Sequence, residues 1–167
     1  MSQTMRLASV AFVAFVLFLL SASAASATPP MIFPFPSEDM TLSGICKFDV
    51  NLTVLDQNES LKIFSDGSLM LTGTFKVALT NAKTGKSIEV NVSGPVFVTP
   101  NPDGSGTEVL TGGSLLYFFP GDLPGGAPLL LVTTGPVVLQ FDKFVGGKIV
   151  DFKHTSGTTL DVCAALA

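Results

Sequence analysis

From Leu42 onward the apolar side chains fall at every second position, and no stretch holds a 3.6-residue period long enough to make a helix. Cys46, Phe48, Val50, Leu52 and Val54 share one phase, while Lys47, Asp49, Asn51 and Thr53 share the other. The alternation returns in Leu69, Leu71, Phe75, Val77 and Leu79, and again in Ile88, Val90, Val92, Val96 and Val98. Side chains on a strand change face at each residue, so this pattern suits a sheet with one face on the core. Turn residues interrupt it at Asp56–Glu59, Asp66-Gly67-Ser68, Asn81–Gly85, Pro100–Gly104 and, more widely, Pro120–Gly126. Further strands are predicted within residues 107–119, 129–141, 149–154 and 160–163, hence an all-β fold.

Each long segment carries a glycine near its middle in the inward phase: Gly73, Gly94, Gly113 and Gly135. An inward glycine removes a side chain where a strand bends hard, and Pro95 and Pro136 follow two of the four. With short loops between the segments, this pattern predicts an antiparallel up-and-down β-barrel of about eight strands. The alternative is a two-sheet β-sandwich. A faint internal echo accompanies it. Asp66-Gly67-Ser68 returns as Asp103-Gly104-Ser105, and Ser93-Gly94-Pro95-Val96 as Thr134-Gly135-Pro136-Val137.

The chain begins with Arg6 ahead of an apolar run from Ala8 to Leu20, then the small residues Ala25-Ser26-Ala27, which together read as a signal-peptide helix over residues 1–27. The run is shorter than the roughly 20 apolar residues a membrane-spanning helix needs. Residues 28–41, with Pro29, Pro30, Pro34 and Pro36, form an extended lead-in, and residues 42–167 a single β domain. The expected location is secreted and extracellular, with no stable membrane insertion once the signal is cleaved. Two cysteines in an exported chain, Cys46 and Cys163, then predict one disulfide tying the first strand to the last residues. The net charge is −4 and Arg6 is the sole arginine, which argues against a nucleic-acid partner.

The residues available for chemistry are few: one histidine, one tyrosine and no tryptophan. No phosphate loop, nucleophile elbow, zinc signature or calcium loop occurs, and no metal or cofactor is expected. His154 shares a strand face with Val150 and Phe152, so it is either a titratable group in an apolar interior or a strand-end histidine bonded to a loop. Tyr117 shares the phase of Leu115 and Phe119 and offers a polar handle inside a cavity. Residues 115–120 and 128–132 are apolar on both faces, which implies either burial on two sides or an exposed apolar patch. Leu115, Tyr117, Phe119, Leu129, Leu131, Phe152 and His154 are therefore the candidate binding residues. Asn51, Asn58 and Asn91 each begin an Asn-x-Ser/Thr triplet and would accept glycan in a eukaryotic host.

The segments Leu79–Ser87, Asn91–Pro95, Asp103–Ser105, Leu115–Pro120 and Asp161–Cys163 resemble those of small secreted β-rich proteins of high-GC Gram-positive bacteria. That resemblance implies export and a β fold, and it brings no catalytic residues with it. At the level of fold alone, an exported eight-stranded barrel is similar to dirigent, allene-oxide-cyclase-like and lipocalin barrels, and fold does not fix function. The expected protein is a secreted, disulfide-closed β-barrel binding an apolar small molecule or a protein or cell-surface partner without catalysis. The alternatives are a structural or adhesive exported protein, and a cyclase- or isomerase-like barrel enzyme using His154 and Tyr117.

Overall fold

The computed structural model describes residues 28–167, and the export signal expected over residues 1–27 lies outside the described residues. The fold is all-β and antiparallel, with one short helix at the chain end. In chain order the strands are β1 (Met31–Pro34), β2 (Met40–Leu42), β3 (Val50–Ile63), β4 (Leu69–Asn81), β5 (Ser87–Asn91) and β6 (Val96–Pro100). They continue as β7 (Gly106–Leu110), β8 (Ser114–Phe118), β9 (Leu129–Thr133), β10 (Val137–Phe141), β11 (Ile149–His154) and β12 (Thr159–Asp161). Helix α1 spans Val162–Leu166, with Asp161 capping it by accepting a hydrogen bond from the Ala164 N–H at 2.9 Å.

The strands form two sheets. The larger runs β1-β3-β4-β6-β7-β10-β11, with β2 added to β3 and β5 to β4. The smaller is β12-β9-β8. Among the described residues no ladder joins β1 to β11. There are more strands than the roughly eight expected, because the Gly-Pro steps split the long segments. After β5 the chain leaves β4 at Ser93-Gly94-Pro95 and pairs with it again as β6, opposite Leu69–Leu71. Proline supplies no N–H for the ladder, so the break falls there.

Residues 56–59, expected to turn, instead continue β3. That strand runs unbroken against β4, with a bulge between Val54 and Asp56. The extra residue reverses the phase. Val50, Leu52 and Val54 lie opposite Asn81, Leu79 and Val77, whereas beyond the bulge Gln57, Glu59 and Leu61 lie opposite Phe75, Gly73 and Leu71. Outside the bulge the polar run stays paired, and Lys76 bonds Asp56 across the strands at 2.9 Å.

The glycines mark close approaches of the backbone. A Cβ on Gly94 would overlap the carbonyl oxygens of Thr111 and Gly113, and the Gly94 N–H donates to the Gly113 carbonyl at 2.8 Å. The internal echo is structural. Val96 of β6 and Val137 of β10 both face Leu110 of β7, so the two Gly-Pro-Val segments flank one strand in the same register. The two Asp-Gly-Ser turns also match. Ser68 donates its N–H and hydroxyl to Asp66, and Ser105 does the same to Asp103. These bonds, the hydroxyl's first, hold both carboxyls below the usual aspartate range.

Two apolar clusters fill the interior. The first joins Val50, Leu52, Val77, Leu79 and Val92 to Leu130, Val162 and Leu166. The second joins Leu110, Val137 and Leu139 to Leu116, Phe118 and Leu123. The smaller sheet contributes to both. Leu115, Leu130 and Val132 pack with the first cluster, and Leu116, Phe118, Leu129 and Leu131 with the second. The doubly apolar sequence of β8 and β9 is therefore explained by packing on two sides. Cys46 and Cys163 are joined, with Cα atoms 5.4 Å apart, beside the first cluster. The bridge ties α1 to the loop before β3, because Cys46 precedes the strand and Cys163 lies in the helix. Asn81 adds a buried link, donating to the Leu166 carbonyl at 3.0 Å. Among the described residues no helix is long and apolar enough to cross a membrane.

Candidate functional site

The smaller sheet leaves β8 with a free edge, and a cleft of about 420 Å³ opens against it. Leu71 and Phe75 of β4, Val96 of β6, Leu110 of β7 and Leu115 of β8 supply its apolar walls. Phe35, Pro36, Ser37 and Glu38 of the lead-in form one side. Three hydrogen bonds tether this arm to β3. The Phe35 N–H donates to the Glu59 carbonyl at 3.0 Å, Gln57 Nε2 to the Phe35 carbonyl at 2.6 Å, and the Val54 N–H to Asp39 Oδ1 at 2.8 Å. The volume falls within the usual range for small-molecule sites, which are apolar with a few placed polar groups.

The polar groups here are Ser37, Glu38, Glu59, Ser114 and Tyr117. The bulge in β3 sets Glu59 on the cleft side, since it reverses the phase of everything after Val54. Partial burial pushes its carboxyl above the ordinary glutamate range. Among the described residues no basic side chain lines the cleft. The ion pairs among the described residues are Lys76–Asp56 and Lys153–Asp151, so Glu38 and Glu59 carry no cationic partner. Ser114 is buried, and its hydroxyl has no hydrogen-bond partner among the described residues; the same holds for Thr133, directly opposite on β9. Buried hydroxyls normally find partners.

Of the candidates read from the sequence, Leu115 and Tyr117 line the cleft. Phe119 lies just beyond β8, its ring edge-on to Tyr117 at a centroid distance of 6.4 Å. Leu129, Leu131 and Phe152 pack with the second cluster, where Phe152 meets Phe118 at 5.7 Å. His154 ends β11 and is absent from the cleft lining. Its Nε2 lies 2.9 Å from the Thr134 carbonyl, which only accepts, so this nitrogen carries the proton. In that neutral tautomer Nδ1 accepts from the Thr159 hydroxyl at 3.1 Å. Both ring nitrogens are thus engaged in joining chain segments, and His154 and Tyr117 do not meet in the cleft. Asn51, Asn58 and Asn91 are all exposed.

Sequence reasoning missed Glu59, Ser114 and the arm. The signal for Glu59 was present in the phases. The apolar residues of β3 are even-numbered through Val54 and odd-numbered at Leu61 and Ile63, which requires one inserted residue between them. A wider depression of about 600 Å³ lies between residues 121–124 and residues 142 and 148–150, and loop residues form much of its wall. No group of three His, Cys, Asp or Glu side chains suited to a metal occurs among the described residues. Compared with known proteins, the chain matches no family model, no curated protein and no solved structure.

Proposed function

We propose that this is an exported, disulfide-closed β protein that holds an apolar small molecule in the cleft beside β8, without catalysing its conversion. The observation that carries the reading is the apolar cleft of about 420 Å³, in which Ser37, Glu38, Glu59 and Tyr117 supply a few polar groups among apolar walls. Export alongside the small secreted proteins that its turn motifs resemble belongs to the same reading. So does the architecture, a two-sheet sandwich in which the larger sheet curls around the smaller. Its support is the smaller sheet's contribution to both apolar clusters. The cyclase or isomerase alternative is weakened by the position of His154, which is engaged by Thr134 and Thr159 away from the cleft. An adhesive role draws its support from the exposed apolar side chains of Met31, Ile32 and Phe33 along the edge strand β1.

The test is a titration of the purified protein with N-phenyl-1-naphthylamine, a neutral apolar dye that brightens on leaving water. Saturable binding is expected, and Leu71→Trp, which fills the cleft, should weaken it at least about tenfold, or roughly 1.4 kcal/mol. Val150→Trp, at an exposed site on β11, should leave it unchanged. Absence of saturable binding, or binding indifferent to Leu71→Trp, would overturn the reading.

A further inference from the structure

We infer that the cleft selects amphiphiles bearing a protonated amine over carboxylate-bearing ones of the same chain length, because Glu38 and Glu59 are the only charged groups lining it among the described residues. The inference rests on the binding role proposed for this cleft and specifies the ligand class.

The backbone fixes where both residues sit along the cleft. Glu59 faces inward because of the bulge between Val54 and Asp56. Glu38 sits on the tethered arm, between Phe35, which is bonded to Glu59 and Gln57, and Asp39, which is bonded to Val54. The positions therefore do not depend on a ligand to assemble them. Neither carboxylate has an ion-pair partner among the described residues, and the nearby Lys76 is already bonded to Asp56. Opposite charges a few ångströms apart attract far more strongly beside low-dielectric walls than in bulk water. An ammonium group at this point would meet two uncompensated acids while its alkyl chain lies along Leu71, Phe75, Val96 and Leu110. A fatty acid in the same pose would bring a third negative charge to the two already present. Like charges held together in this way oppose binding.

Dodecylamine, dodecanoate and dodecanol, each below its aggregation threshold at 0.15 M salt, separate the cases by displacing N-phenyl-1-naphthylamine from the full protein. Dodecylamine should displace the dye at a concentration at least about tenfold below that of dodecanoate, with dodecanol between them. In the E38Q/E59Q double variant the amine preference should collapse to within about twofold. Glu89→Gln, an exposed charge on β5, should preserve the preference and so exclude a general effect of net charge. Equal displacement by amine and carboxylate, or a preference that survives E38Q/E59Q, overturns the inference while leaving the cleft a binding site. Failure of all three compounds to displace the bound dye overturns the inference alone, whereas absence of saturable dye binding overturns it together with the binding reading.

Discussion

Glu108 faces the second apolar cluster without a charged partner. It shares the phase of Leu110 on β7, lies between Val98 and Leu139 on the neighbouring strands, and takes part in no ion pair among the described residues. Burial holds its carboxyl above the ordinary glutamate value of 4.5. The folded state therefore keeps a proton that the unfolded chain has already released, so stability falls as pH rises from about 4.5 through the raised folded pKa. Glu108→Gln should stabilise the protein against urea at pH 7.5, and the gain should vanish at pH 4, where both states are protonated. An equal gain at the two pH values would show that charge burial is not its source. Ser114 and Thr133 present the neutral version of the same situation, two buried hydroxyls opposite each other with no partner.

Among the elements, the crossing of the segment after β5 over the link between β7 and β8 is a tight constraint. A methyl group on Gly94 would have to enter space held by the carbonyl oxygens of Thr111 and Gly113, both of them backbone atoms that cannot rotate aside. Gly94→Ala should cost about 1–3 kcal/mol or more, the scale of overpacking. Gly104→Ala should cost about 1 kcal/mol, since that turn glycine has φ +86° and open space around it. Urea unfolding of both variants checks the order, and a cheaper Gly94→Ala would mean that the crossing relaxes. The sequence marked Gly94-Pro95 as a point where a strand bends hard, whereas the crossing over the link between β7 and β8 emerges only in the fold. The all-β class was equally legible in the period-two alternation. The course of β3 was harder to read. Asp56-Gln57-Asn58-Glu59 has the composition of a turn, and pairing with β4, from 14 or more residues away, together with the bonds from Phe35 keeps it extended. The cleft was half legible for the same reason. Leu115 and Tyr117 follow from local phase and Glu59 from the phase reversal along β3, whereas Glu38 reaches it through the tertiary contacts of the arm.

For the whole molecule, the Cys46–Cys163 bridge closes a sequence separation of 117 residues. The chain-entropy account assigns such a loop about 4–5 kcal/mol, and the double variant Cys46→Ser/Cys163→Ser should lose stability on that scale in urea. A loss below about 1 kcal/mol would indicate that Val162, Leu166 and the Asn81 bond already hold α1 in place without it. The hairpin of β8 and β9 has a further consequence for how the chain can vary. Where a strand pair has one wet face, half its positions can drift in size and polarity, yet here nearly every side chain from Leu115 to Val132 within the two strands meets a filled neighbour. Replacements there are limited to residues of matched volume, while on the proposed reading changes at Ser37 or Glu38 of the arm would alter which molecules the cleft admits.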